Sequence, residues 1–135
     1  MPTIFSKIIQ GEIPSYKIAE NELFFAFLDI NPIVKGHVLV VPKVEVDKLF
    51  DLDENYLSQM LVFAKPIAKA IEAVMPCKRC GISVIGLEVP HAHLHIVPIN
   101  QADDLNFTRQ KLTVSSDELK QIQETILLQL SHSDL

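Results

Sequence analysis

The sequence predicts an α+β fold: an antiparallel sheet of five or a similar number of strands, with one long kinked helix and a C-terminal helix. Three observations predict it. Three β-forming runs follow one another before residue 43 with links too short for crossover connections. A long stretch after Asp53 then repeats apolar residues at helical spacing. Beyond it come two more β-forming runs, and the second carries histidine at every other position, His91, His93 and His95.

Taken in order, residues 5–9 make a short amphipathic turn closed by Gly11 and Pro14. Residues 16–19 and 23–28 read as two strands across the polar Glu20-Asn21-Glu22 turn. Asp29-Ile30-Asn31-Pro32 and Lys35-Gly36 mark a loop, after which His37-Val38-Leu39-Val40-Val41 is rich in β-formers and stops at Pro42. Antiparallel pairing of these three strands follows from their short links.

Asp53 is a good N-cap for the long helix, with Leu52 and Leu57 at the two positions of a hydrophobic staple. Leu57, Met60, Leu61, Ala64, Ile67, Ala68, Ile71, Val74 and Met75 form its core-facing stripe. Pro66 removes a backbone hydrogen bond and is expected to kink it. Val62 and Phe63 widen the apolar surface, which fits a second subunit and a wrapping by the chain's own termini equally well. Residues 81–85 form a fourth strand, 91–97 a fifth, and 100–114 are irregular. Ser115 with Glu118 makes a capping box that opens a helix through Leu119, Ile122, Ile126 and Leu130. His132 is expected to be solvated in its tail.

With 135 residues, 48% of them hydrophobic and 21% charged, the chain reads as a single domain, 1–135, able to bury a core without disulfides or metals. Its net charge of −5, with both signs interspersed, excludes the basic footprint of a protein that grips a nucleic-acid polymer. The opening residues lack a signal-peptide pattern and no apolar run reaches membrane-spanning length, so a cytoplasmic protein with no membrane partner is expected. Cys77 and Cys80 flank Lys78 and Arg79. Cationic neighbours can make such a pair reactive or metal-binding, but two reduced cysteines at a helix-to-strand junction are the preferred reading.

The histidines carry the chemistry. In an extended segment alternate side chains share a face, so His91, His93, His95 and Val97 lie on one side and Ala92, Leu94 and Ile96 on the other. At roughly 3.3 Å per residue, His91 and His95 stand about 13 Å apart, too far to meet easily at one small ion. His93 is therefore the centre. Imidazole serves near neutral pH as nucleophile, proton donor or anion-binding group, so a row of histidines suits an anionic substrate.

These residues resemble a known family. His91-Ala92-His93-Leu94-His95-Ile96-Val97 matches the His-x-His-x-His-apolar-apolar signature of the histidine-triad (HIT) nucleotide hydrolases and transferases. Residues 4–14 resemble that family's opening segment, and 27–43, with Phe27, Asp29, Gly36 and His37, its central one. The resemblance implies a HIT-like α+β fold, usually homodimeric, acting on a purine nucleotide or nucleotide conjugate. It implies that His93 attacks the α-phosphorus to give a nucleotidyl-histidine intermediate that water resolves. His91 and His95 would be flanking phosphate ligands and proton carriers, and His37 a supporting histidine. Apart from the resemblance, a strand-end imidazole contributes little core burial, so His37 is expected to matter more for turnover than for folding. Asp29 would bond the ribose hydroxyls, and Phe5, Ile13, Phe27 and Ile30 would pack the base. Each of these five also has an ordinary structural reading, as a turn-forming Asp or as core.

Two departures mark this branch. Where the family commonly has Gln and a hydroxyl residue before the triad, this chain has Leu87 and Glu88. An apolar side chain cannot donate to a phosphate, and a carboxylate repels one unless paired. Glu88 therefore orients a histidine, engages a cationic part of the substrate, or is simply solvated. Zinc-carrying members place Cys at the positions of Thr3 and Ser6 and His at that of Glu45, so neither zinc nor another cofactor is expected.

The favoured activity is hydrolysis or nucleotidyl transfer at the α-phosphate of a phosphoramidate or dinucleoside polyphosphate, with the phosphoramidate preferred by resemblance. Two alternatives stay open. One is a metal-dependent hydrolase using two of the alternate histidines with His37 or Glu88, and the other is a nucleotide-binding regulator that has lost turnover.

Overall fold

The computed structural model describes residues 2–133. Local chemistry sets its first elements. Thr3 caps α1 (Ile4–Ile9), its side chain accepting from the Ser6 amide. Asn21 closes the turn between β1 (Lys17–Glu20) and β2 (Phe24–Leu28), its Oδ1 accepting from the amides of Leu23 and Phe24 at 2.9 and 2.8 Å. A second turn leads into β3 (Val38–Pro42) through Gly36, whose φ of +95° favours glycine. A Cβ there would also stand 3.0 Å from the Met75 side chain.

Asp53 caps α2 (Glu54–Val74) by accepting from the Tyr56 amide at 3.2 Å. The chain then adds β4 (Arg79–Ser83), β5 (Leu94–Ile99) and α3 (Ser116–Ser133). The sheet is antiparallel throughout with order β1-β2-β3-β5-β4, so β5 lies between β3 and β4. The α+β class with five antiparallel strands is the one expected from the sequence.

Both faces of the sheet are covered. One packs Phe24, Ala26, Leu28, Val38, Val40, Leu94 and Ile96 against Met60, Ala64, Ile67 and Ile71 of α2 and Leu119 and Ile126 of α3. The other packs Phe25, Phe27, Leu39 and Val41 against Phe5 and Ile8 of α1. His95 pairs with Leu39 and Ser83 and shares this second face. Among the described residues no helix is long and apolar enough to cross a membrane.

Several elements differ from expectation. The fifth strand begins at Leu94 rather than His91, because residues 91–93 leave the ladder. The His91 amide bonds to the Val89 carbonyl and the Ala92 amide to that of Val46, beyond the end of β3. The fourth strand starts two residues early, at Arg79, because pairing with Ile99 draws it into the sheet. On α2, Leu61 is 57% exposed and Ala70 is buried in its place. The buried side follows Met60, Ala64, Ile67 and Ile71, and Leu61 lies one residue past that line. Phe63 stacks on Phe24 within the chain's own core, whereas Val62 faces outward. The helix is continuous through Pro66. Of the capping box at α3, Ser115 Oγ accepts from the Glu118 amide, while the Glu118 carboxylate pairs with Lys35 at 2.7 Å.

Candidate active site

His37, His91, His93 and His95 come together at the α1 face of the sheet, and their hydrogen bonds divide them into two pairs. His91 is fully buried, with both ring nitrogens engaged by the protein. Nε2 lies 2.9 Å from the Pro42 carbonyl, to which it donates, and Nδ1 lies 2.8 Å from Thr3 Oγ1. His37 is 2% exposed and likewise committed. Its Nδ1 accepts, at 3.4 Å, from the Ile33 amide, and its Nε2 lies 2.9 Å from Nδ1 of His95.

His93 and His95 are different. His93 Nδ1 lies 2.7 Å from the His91 carbonyl, which can only accept, so Nδ1 carries the proton and Nε2 keeps a lone pair. His37 accepts at Nδ1, so its Nε2–H donates to His95 Nδ1, and the proton of His95 sits on its own Nε2. Neither outer Nε2 has a hydrogen-bond partner among the described residues, and none of the fully buried side-chain polar atoms is left unpaired, so both nitrogens reach solvent. A lone pair thus stands beside an N–H donor on rings whose centroids are 4.8 Å apart.

Burial lowers the pKa of all three of these rings. His37 and His95 fall to about 3, through desolvation first and then repulsion from neighbouring imidazoles and from Lys111. His93 falls less far because its bond to the His91 carbonyl opposes the desolvation. At neutral pH the rings are uncharged, and His93 Nε2 is a free base. The arrangement sets a nucleophile beside a neutral donor, with no resident charge on either ring.

Beside the histidines lies a cavity of about 160 Å³ whose lining includes Phe5, Ile13, Phe27, Asp29 and Ile30. Each residue assigned by resemblance to base or ribose borders this one space. The Phe5 ring connects it to the histidines, 4.9 Å from His93 and 5.8 Å from Phe27. Asp29 bonds the Asn31 amide through Oδ1 at 2.9 Å and holds Oδ2 3.8 Å from His37 Nδ1, and burial raises its pKa. Glu88 stands apart: its side chain is 82% exposed and pairs with Lys111 at 3.7 Å rather than with a triad ring.

Thr3, Ser6 and Glu45 bond to one another. Glu45 Oε1 accepts from Ser6 Oγ at 2.6 Å and from the Thr3 amide at 2.8 Å, and Thr3 Oγ1 continues the chain to His91. Two hydroxyls and a carboxylate satisfied in this way are not the thiolate and imidazole donor set of a structural zinc site. Thr3 thus fixes His91 and caps the helix that carries Phe5, a role its sequence position does not announce. Phe107 and Lys111, which approach the histidines from the irregular segment after β5, carried no motif either.

The Cys77–Cys80 pair lies elsewhere. Both thiols are free, and burial with the nearby Glu72 raises both, Cys80 to about 12. The cationic neighbours do not activate them.

Comparison with known proteins places these features in context. The HIT domain family matches residues 10–102. An uncharacterized HIT-like protein of Borreliella burgdorferi is 35% identical, over 94% of this chain and 97% of that one. The adenosine 5'-monophosphoramidase of Saccharomyces cerevisiae is 34% identical, over 97% of this chain and 84% of its own length. Among solved structures, the Hit-like protein of Bartonella henselae superposes with a TM-score of 0.82 at 27% identity, covering 94% of this chain and 95% of that one.

Proposed function

This chain belongs to the HIT family, and on that premise we propose that it is a nucleoside phosphoramidase, hydrolysing a purine nucleotide conjugate at its α-phosphate. Two yeast relatives of 34% and 36% identity bear the name adenosine 5'-monophosphoramidase, which favours the phosphoramidate over the dinucleoside polyphosphate. The observation that carries the mechanism is the tautomer of His93, with Nδ1–H on the His91 carbonyl and a bare Nε2 open to solvent.

In this mechanism the base enters the cavity between Phe5, Phe27 and Ile30, and Asp29 accepts from the ribose hydroxyls. The phosphate then lies at the two open nitrogens. His93 Nε2 attacks phosphorus, the P–N bond breaks, and a nucleotidyl-histidine forms whose positive ring is steadied by the His91 carbonyl. A phosphate anion beside His95 raises that ring's proton affinity, so the His37–His95 pair takes up one proton with the substrate. His95 passes this proton to the departing amine, and the pair returns to neutrality. Water then attacks the same phosphorus and its proton returns to solvent, balancing the one taken up with the substrate, while the P–N bond to His93 breaks to release the nucleoside monophosphate. Within this reading His91 and His37 orient the other two rings, and no resident metal takes part.

The proposal extends to a homodimer. Leu61 and Val62 leave an exposed apolar strip on α2, and β4 ends the sheet with Ile82 47% exposed. Sedimentation measures it directly.

Rapid quenching after mixing with an adenosine phosphoramidate, followed by peptide mass spectrometry, tests the chemistry. An adenylate on His93, absent in His93→Ala, is the expected result. Normal turnover by His93→Ala overturns the mechanism. Tight nucleotide binding without adduct or turnover favours the regulator, for which Leu87 and Glu88 provide the motive.

A further inference from the structure

His37, His93 and His95 are uncharged at rest, so the sheet offers a phosphate the Nε2–H of His95 rather than positive charge. The positions that help hold phosphate elsewhere in the family are here Leu87, apolar and 88% exposed, and the anionic Glu88.

Charge arrives from another part of the chain. The family match ends at residue 102, and the segment beyond it folds back over the site. The Leu112 amide donates to the Pro32 carbonyl at 2.8 Å, tying this segment to the loop between β2 and β3. The Phe107 ring covers His95 at 4.5 Å and His37 at 5.9 Å between centroids. Lys111 Nζ then stands 3.7 Å from Glu88 Oε2. The charge of Lys111 acts on Asp29, His37 and His95, and that of Glu88 on Asp29 and His93. The charges of this ion pair are therefore felt at Asp29 and at each of the three rings.

Such a pair is easily exchanged. At 3.7 Å, with side chains 47% and 82% exposed, it is long and solvent-screened. A phosphate carrying more negative charge than one carboxylate competes well for the same ammonium.

We propose that Lys111 is the phosphate-binding cation of this site, held at rest by Glu88 and transferred to the nucleotide's phosphate when substrate enters. The proposal rests on the nucleotide reading above. It gives the chain a substitute, supplied from outside the matched domain, for the polar groups replaced by Leu87 and Glu88. Glu88 acts as a placeholder that keeps the lysine near the mouth.

Calorimetric titration of the full-length protein with AMP and with adenosine isolates the phosphate's share of binding. Lys111→Ala weakens AMP binding about tenfold and leaves adenosine unchanged, as loss of one charge-assisted contact requires. Lys111→Arg restores AMP binding, and Glu88→Gln tightens it by freeing the lysine. Wild-type binding of AMP with the same AMP-to-adenosine ratio in Lys111→Ala overturns this proposal alone. Failure of the wild-type protein to bind either compound overturns the nucleotide reading together with it.

Discussion

His37 Nε2 lies 2.9 Å from His95 Nδ1, joining two buried imidazoles 58 positions apart in the chain. This bond decides which nitrogen of His95 carries a proton toward the substrate. It also couples folding to catalysis, because each ring supplies the other's partner in a place water does not reach.

Stability should therefore fall with acid. Both rings titrate at about 3 when folded and near 6.5 when unfolded, so below 6.5 the unfolded chain binds the extra protons. Their neutral burial costs nothing above pH 6.5, and the folded state is penalised progressively as pH drops toward 3. The slope approaches about 1.4 kcal/mol per pH unit for each ring. Asp29, raised by burial, acts in the opposite direction in the acid range. Urea denaturation at a series of pH values should show a plateau above 6.5 and a decline below it; a flat profile from pH 7 to 4.5 would contradict the buried neutral pair.

Catalysis should have an acid limb of its own. His93 is the attacking base, and its pKa lies below the usual 6.5, so kcat/KM for an activated adenylate whose leaving group needs no proton should hold its value through pH 6.5 and fall at lower pH. An acid limb centred above 6.5 would show that the nucleophile is not held as described.

His37→Ala should cost both folding and turnover. The side chain is 2% exposed, packs on Phe107 and satisfies His95, so its removal leaves a void and an unpaired buried nitrogen. This corrects the expectation that a strand-end imidazole contributes little to folding. About 2–4 kcal/mol of stability should be lost. His37→Gln, whose amide can still donate, should recover part of both losses. Thermal unfolding alongside steady-state kinetics measures the two together.

Thr3→Val should loosen the site from behind. It removes the partner of His91 Nδ1 and the cap of the helix bearing Phe5. A loss of about 1–3 kcal/mol is expected, with Thr3→Ser close to wild type. Equal stability of Thr3→Val and Thr3→Ser would show the hydroxyl to be dispensable.

The thiols should be inert. With Cys80 raised to about 12 and Cys77 also raised, iodoacetamide at pH 7.5 should modify both far more slowly than a small free thiol, Cys80 last. A Cys77→Ser, Cys80→Ser double variant should keep its nucleotide affinity.

Much of this protein is legible without coordinates, for identifiable reasons. Strand order along the chain, the Asp53 cap and the Ser115 start of α3 are local properties, fixed by turn residues and spacing. The alternation of His93 and His95 with Leu94 and Ile96 survives even where residues 91–93 leave the ladder, because an extended backbone keeps period two with or without a pairing strand. Leu61 fits the helical stripe yet lies exposed, because such a stripe has soft edges and only the packing of α2 on the sheet shows where the edge falls. Phe107 and Lys111 were missed because nothing local marks them. They matter only through the fold that returns their segment to the histidines.

The sequence by itself determined the class of fold, the histidine row and the family, since periodicity and motif are properties of neighbours along the chain. Only the tertiary structure decided what each ring does. Four imidazoles are chemically alike in sequence, and they differ here because the Thr3 hydroxyl, the Ile33 amide and the Pro42 and His91 carbonyls each meet a particular ring nitrogen. A hydrogen bond sets which nitrogen holds the proton and burial sets whether the ring is charged, and both depend on groups that only folding brings within reach.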